Sequence, residues 1–266
     1  MKSNLHTHTT FCDGKNSVEE NVISAIEKGF VSLGFSGHGY TDFDKRFCMK
    51  DVEGYINQVN AAREKYKDKI QIYLGVEEDM HTFVDRKKFD YIIGSNHYYV
   101  IDDKYYDVDA TADVTEECLR LLEGNEVKLA QIYFQGYCDY LVKRKPDIAA
   151  HFDLLTKFDE KYTPFFSDSE QYRKIAREYL LYAMKSGCIF EVNTGAIARG
   201  YRKTPYPSTD LLYTLLKNDG KIILNSDCHN AENLDFAYDE TILLLKDIGF
   251  THSYMLYDGK FNRVEL

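Results

Sequence analysis

Short apolar runs alternate along the chain with longer stretches in which apolar residues recur every three or four positions. Near-continuous apolar runs are typical of buried strands, and the longer period is typical of amphipathic helices. The pattern predicts eight strands, over residues 4–8, 31–36, 70–76, 91–95, 148–151, 188–193, 221–226 and 253–257.

Helices are predicted between these strands, and several have recognisable ends. Ser17 and Glu20 have the spacing of a capping box, and Gly29 closes the helix that the box opens. Asp51 precedes a second helical stretch whose apolar stripe runs to Tyr66. Further helices are predicted over residues 167–187, 207–220 and 231–249.

This alternation predicts a parallel sheet covered by helices. Seven or eight strand–helix repeats in about 250 residues favour closure into a barrel. An open doubly wound sheet is the alternative, but no G-x-G-x-x-G or Walker segment supports a nucleotide site. We therefore expect an α/β barrel.

Composition narrows the class of protein. Hydrophobic residues make up 44% of the 266 residues and charged ones 29%, which is typical of a soluble globular protein. No apolar run approaches the roughly 18 residues of a membrane helix, and Lys2 leads to His6 without the apolar core of a signal peptide. We therefore expect a cytoplasmic protein. The net charge of −10 disfavours nucleic acid as a partner.

The six cysteines are far apart in the sequence, with no C-x-x-C spacing. We expect reduced thiols rather than a disulfide framework. Cys12 and Cys228 lie beside candidate metal ligands, but at the two-residue period of a strand each would face away from its neighbour.

Histidines cluster at the predicted strand ends. The first strand ends in His6 and His8, whose spacing puts both imidazoles on one face. Active sites of (β/α) barrels lie at the carboxyl ends of the strands. Six of the eight histidines and two carboxylates occupy such positions: His6, His8, His38, Glu77, His97, His151, Asp227 and His229.

Six imidazoles with Glu77 and Asp227 are too many ligands for one tetrahedral zinc. A carboxylate among them can bridge two ions, and ions roughly 3.5–4 Å apart can share a hydroxide and hold the oxygens of a phosphoryl group. The residues therefore favour hydrolysis of a phosphate ester.

Several motifs carry a family resemblance: H-T-H-T-T-F-C-D-G, G-V-E-E-D, G-S-N-H, H-F-D-L, E-V-N-T-G and N-S-D-C-H, in this order between residues 6 and 229. The chain resembles the polymerase-and-histidinol-phosphatase (PHP) superfamily and, more narrowly, its monofunctional histidinol-phosphate phosphatases. The resemblance leaves no second domain and implies one distorted, TIM-like (β/α)7 barrel over residues 1–266.

The resemblance also implies a centre of three divalent metal ions. One ion would take His6, His8, Glu77 and Asp227, and a second would share Glu77 and take His97 and His151. The third would take Asp13, His38 and His229, although Asp13-Gly14 is also an ordinary turn sequence. Imidazole and carboxylate ligands suit zinc, manganese and iron alike.

Catalytic and substrate-binding roles follow from this placement. The expected nucleophile is a hydroxide bridging the ions that share Glu77, and Asp227 either moves its proton to the leaving oxygen or is a plain ligand. Phosphate favours an arginine, for which Arg199 is the candidate and Arg202 the second choice. Asn193 would orient ligands or substrate, and Asp79 would receive a substrate ammonium.

Three functional hypotheses remain open on the sequence. The first is hydrolysis of L-histidinol phosphate, a small-molecule phosphate monoester, in histidine biosynthesis. The second is a PHP phosphoesterase acting on a nucleotide, a nucleic-acid end or a phosphotyrosyl protein. The third is a non-catalytic PHP module, which the full set of competent ligands disfavours.

Overall fold

The computed structural model describes residues 1–266 as a mixed α/β fold. The strands are β1 Lys2–Asn4, β2 Phe30–Phe35, β3 Gln71–Asp79, β4 Tyr91–Ser95, β5 Tyr98–Ile101, β6 Lys104–Asp107, β7 Ile148–Ala149, β8 Ile189–Asn193, β9 Ile222–Asn225, β10 His252–Tyr257 and β11 Lys260–Glu265. The helices are α1 Val18–Glu27, α2 Val52–Tyr66, α3 Ala112–Leu121, α4 Glu126–Arg144, α5 Glu170–Ala183, α6 Gly195–Ala198, α7 Thr209–Lys217 and α8 Tyr238–Ile248. No helix is long and apolar enough to cross a membrane.

Nine strands form one sheet in the order β1-β2-β3-β4-β7-β8-β9-β10-β11. All neighbours up to β10 pair in parallel, and β11 turns back antiparallel along β10. The segments that follow β1 and β9 also meet, because Thr7 and Cys228 form a parallel bridge. The carboxyl ends of the first and seventh strands of the parallel series are therefore neighbours.

The predicted parallel strands are confirmed, but the first is shorter than expected. Residues 5–8 form only the bridge at Thr7, because side chains replace the backbone ladder there. The Asn225 side chain accepts from Leu5 N (2.8 Å), and the Asn4 side chain accepts from Ser226 N (3.1 Å). The hairpin β5–β6 forms a separate two-stranded sheet that the apolar pattern did not predict.

Helix ends follow the predicted signals closely. Ser17 caps α1 with the full capping box to Glu20, and Gly29 follows with the positive φ of 74° that a residue without Cβ adopts readily. Asp51 caps α2 by accepting from Gly54 N. The stretches predicted over 167–187, 207–220 and 231–249 contain α5, α7 and α8.

Tyr91 fills the space beneath the strand ends. Its buried hydroxyl donates to the carbonyl oxygens of Leu5 and Phe35. The ring fits only because Gly34 and Gly75 lack side chains, since a Cβ there would lie 2.3 and 2.2 Å from the nearest Tyr91 atom. Tyr91 therefore fixes the spacing of the strands that carry the predicted ligands.

Candidate metal centre

Glu77 lies at the centre of the predicted ligands. Its carboxylate is 1% exposed and is surrounded by five imidazoles. On one side, Oε2 is 3.2 Å from His6 Nε2, 3.6 Å from His8 Nε2 and 3.0 Å from His38 Nδ1. On the other side, Oε1 is 3.3 Å from His97 Nε2 and 3.2 Å from His151 Nε2. One carboxylate thus faces two groups of nitrogen ligands.

Asp227 and Asp13 extend this cluster. Asp227 Oδ1 lies 3.3 Å from His8 Nε2 and 3.5 Å from His229 Nδ1. Asp13 Oδ2 lies 3.1 Å from His229 Nε2, and its Oδ1 lies 3.7 Å from His38 Nε2. All nine residues predicted as ligands therefore come together at the carboxyl ends of the parallel strands.

The cluster fits divalent metal ions. His6 Nε2, His8 Nε2, Glu77 Oε2 and Asp13 Oδ1 are buried and make no hydrogen bond. Leaving such atoms unpaired is costly, so ligand atoms that converge in this way suit a bound cation. Three groups have ligand atoms within 4.8 Å of one another: His8, Asp13, His38 and His229; His6, His8 and Glu77; and His38, Glu77 and His97.

The pKa shifts favour ionised carboxylates but divide the imidazoles. Burial raises the pKa of Glu77, but the neighbouring imidazoles, chiefly His38, outweigh it and hold the pKa well below the ordinary value. Burial also raises the pKa of Asp227, which Arg199 and His6 bring well below its usual range. Burial, together with His229 and His38, lowers the pKa of His8 to about 3. Burial lowers the pKa of His6, His38 and His97, but neighbouring carboxylates, among them Glu77, outweigh burial and raise it. Ionised carboxylates and neutral imidazoles are the forms that ligate metals. A metal ion would therefore displace a proton from these three rings, but not from His8.

Arg199 lies against this cluster. Its Nη2 donates to Asp227 Oδ2 (3.1 Å) and its Nη1 to the Asp227 carbonyl (3.3 Å), while Nε is buried without a partner. The side chain is 28% exposed. The guanidinium is thus held beside the candidate ligands, and its Nε–H group has no acceptor.

Arg202 and Asn193 lie away from the cavity at the cluster. The Arg202 guanidinium stacks on the Tyr206 ring and donates to Thr156 Oγ1 and to the carbonyl oxygen of Thr204. Asn193 is buried and donates to Glu191 Oε2 (2.8 Å). Both side chains are buried and held by these contacts, which favours an orienting role for both residues over direct contact with substrate.

Asp79 contacts a candidate ligand instead of standing free. Its Oδ2 lies 3.3 Å from His97 Nδ1 and accepts from His97 N (3.1 Å), and its Oδ1 accepts from His81 N (3.0 Å). A carboxylate on the far nitrogen of an imidazole fixes the ring for metal binding. Asp79 lines the cavity, but both its oxygens are already engaged.

Glu191 is a site residue that the strand-end pattern did not single out. Its buried carboxylate lies 2.7 Å from His6 Nδ1 and accepts from His151 N (3.0 Å). The available signal was its two-residue spacing from Asn193 in E-V-N, which puts both side chains on one face of β8.

A cavity of about 250 Å³ opens beside Glu77, His38 and His97. Its walls come from the loop after β2 and from the β5–β6 hairpin, which Arg46 joins by contacting Asp44 and Asp107. No lysine or arginine lines it. The remaining lining residues are Asp13, Gly39, Thr41, Asp44, Phe47, Cys48, Asp79, Tyr98, Asp107, Asp109 and Ala110. Among these, Asp44, Asp107 and Asp109 were not predicted as site residues.

The fold and the cluster together define an α/β protein with a candidate metal centre at its strand ends. The chain belongs to the PHP domain family, whose model matches residues 4–195. It is similar to a Schizosaccharomyces pombe protein named probable histidinol-phosphatase (24% identity, covering 97% of this chain and 90% of that protein). It is also similar to the histidinol-phosphatase of Bacillus subtilis (24% identity, covering 90% and 97%).

A solved structure shares the fold. Histidinol phosphate phosphatase from Lactococcus lactis, complexed with zinc, L-histidinol and phosphate, matches with a TM-score of 0.74 over 98% of each chain at 22% identity. This likeness shows that the whole chain follows the architecture of that protein.

Proposed function

We propose that this chain is a phosphoric monoester hydrolase that converts L-histidinol phosphate to L-histidinol and inorganic phosphate. The observation that carries the proposal is the convergence of nine competent ligands beside a cavity without basic residues. The relatives named histidinol-phosphatase align over at least 90% of the chain, which supports the same activity.

The substrate has a phosphate at one end and an ammonium with an imidazole at the other. The rings of Tyr98 and Phe47 in the cavity wall suit a cationic, aromatic group. Asp44 and Asp107 line the same cavity and share Arg46, while Asp109 pairs with Lys157. The net charge of −10 disfavours a polyanion such as a nucleic-acid end.

Three divalent ions, zinc, manganese or iron, are proposed to occupy the cluster. Glu77 would bridge two of them, one held with His6, His8 and Asp227 and the other with His97 and His151. Asp13, His38 and His229 would hold the third. When bound, such ions lower the pKa of water toward 7 and offset the charge of phosphoryl oxygens.

The chain's own groups complete the proposed reaction. Arg199 donates to a phosphoryl oxygen, for which a guanidinium is well suited. Asp227 is held between His8 and Arg199, where it takes a proton from the attacking water and returns it to the leaving oxygen. Asp79 holds His97 in orientation.

We further propose that the parallel strands close into a distorted (β/α)7 barrel and that residues 1–266 are one catalytic domain. The Thr7–Cys228 bridge joins the segments that follow the first and seventh strands of the parallel series. Residues from strands along the whole sheet pack into one apolar cluster, which supports closure. They are Leu5, Tyr73, Tyr91, Ile93, Ile148, Ala150, Ile189, Ile223 and Leu256.

The test compares kcat/KM for L-histidinol phosphate with that for an alkyl phosphate of similar size that lacks the amine and the imidazole. We expect a clear preference for L-histidinol phosphate, also over p-nitrophenyl phosphate despite its better leaving group. Equal rates on the first two substrates would favour a general phosphoesterase. No turnover of any ester by zinc-loaded protein would favour a non-catalytic module.

A further inference from the structure

Glu191 is a buried carboxylate whose hydrogen-bonding capacity is fully used. Asn225 Nδ2 donates to its Oε1 (3.0 Å), which also lies 2.7 Å from His6 Nδ1. Its Oε2 accepts from His151 N (3.0 Å) and Asn193 Nδ2 (2.8 Å). An ionised carboxylate offers about four lone-pair sites, and all are occupied here. Glu191 therefore has no position left for a metal ion.

The contact with His6 decides which nitrogen of that ring can bind metal. Because an ionised carboxylate only accepts, His6 Nδ1 must carry the proton toward Glu191. In the neutral ring, His6 Nε2 is then the nitrogen that can bind a metal ion, and it is the atom that lies 3.2 Å from Glu77 Oε2. It is buried and makes no hydrogen bond.

Glu191 also joins ligands that come from distant parts of the chain. It contacts the His6 side chain after β1 and the His151 backbone after β7. Its partner Asn225 accepts from Leu5 N (2.8 Å), at the seam where β1 and β9 lack a regular backbone ladder. The carboxylate thus links the seam to both sides of Glu77.

We propose that Glu191 is a positioning residue for the metal centre. It sets the His6 tautomer and holds His6 and His151 in place, so that both ligands are preformed before an ion arrives. This inference rests on the metal site proposed above.

The test is Glu191→Gln in the full-length protein. An amide nitrogen at the Oε1 position would donate to His6 Nδ1, moving the ring proton to Nε2, whereas at the Oε2 position it would oppose the His151 N–H. Partners of this kind typically contribute 10- to 100-fold to metal affinity or activity. We expect zinc affinity, measured by competition with a chromogenic chelator, to fall by about that factor.

The matched control is Asp159→Asn. Asp159 is also a buried carboxylate, and it accepts from the backbone N–H groups of Phe165, Phe166 and Ser167 without touching a candidate ligand. The zinc affinity of the Asp159→Asn variant should equal that of the wild type. In Glu191→Gln, excess zinc should restore most of kcat with an unchanged substrate KM, which a general structural defect would not produce.

The outcomes separate this inference from the proposed function. Failure of the wild type to bind zinc contradicts the metal site itself. If the wild type and Glu191→Gln bind zinc with equal affinity, only the positioning role is overturned. Loss of folded structure in the zinc-free forms of both Glu191→Gln and Glu191→Asp also overturns it, because a purely structural role would then account for Glu191.

Discussion

Replacing Arg199 with alanine removes the one arginine that lies against the candidate ligands with an unpaired donor. The backbone of this short helical turn does not depend on the side chain, because Arg199 N donates to Gly195 O (3.1 Å). We expect the fold to be unchanged and the use of phosphate esters to weaken.

The magnitude follows from the contact that is lost. A hydrogen bond to a charged group contributes about 1.5–3 kcal/mol. At about 1.36 kcal/mol for each tenfold change in rate, kcat/KM should fall roughly 10- to 150-fold. Arg199→Lys keeps the charge but loses the planar fork, so its effect should be intermediate.

The assay measures kcat/KM for L-histidinol phosphate, the inhibition constant of inorganic phosphate and the zinc content of each variant. Arg177→Ala is the control, since Arg177 pairs with Asp210 (2.7 Å) away from the cluster. Equal inhibition of wild type and Arg199→Ala by phosphate would refute the proposed contact. Because Arg199 also donates to Asp227, a fall in zinc content would instead place its effect on that ligand.

Three further predictions test the centre, the core and the cavity. Glu77→Ala should lose zinc by elemental analysis and lose turnover with it, and a fully active variant would contradict the bridging role. Gly75→Ala should cost about 1–3 kcal/mol in urea unfolding because its Cβ meets Tyr91; Tyr91→Leu in the same chain should relieve part of that cost, and additive losses would argue against the contact. Asp107→Asn should raise KM for L-histidinol phosphate but not for the alkyl phosphate that lacks the cationic end, and equal changes would show that Asp107 does not recognise that end.

The convergence of the candidate ligands could be predicted because parallel strands bring distant residues together in a regular way. His6 and His151 lie two residues after β1 and β7, and Glu77 lies near the end of β3. The carboxyl ends of parallel strands meet at the same end of the sheet. Neither the spacing of these residues nor their sequence separation mattered. A local pattern, an apolar run followed by histidine or glutamate, carried the information.

The cavity walls depend on contacts that no local pattern reports. Asp44 belongs to the loop after β2 and Asp107 to the β5–β6 hairpin, and the Arg46 guanidinium donates to both carboxylates. Tyr98 adds a hydrogen bond to Asp44 (3.0 Å). These side chains lie in a loop and in a hairpin that the apolar pattern did not predict, so their convergence follows from tertiary pairing alone.

The two arginines after β8 show how a short turn decides which side chain reaches the candidate ligands. Arg199 and Arg202 are three residues apart, and the sequence offers both as phosphate ligands. The turn α6 ends at Arg199 and directs it over Asp227, after which Gly200 takes a positive φ of 71°. That reversal sends Arg202 onto the Tyr206 ring and the Thr156 hydroxyl, on the other side of the loop. Because a glycine adopts such a φ without strain, the backbone here, rather than the identity of the charged residue, selects the arginine that faces the candidate metal centre.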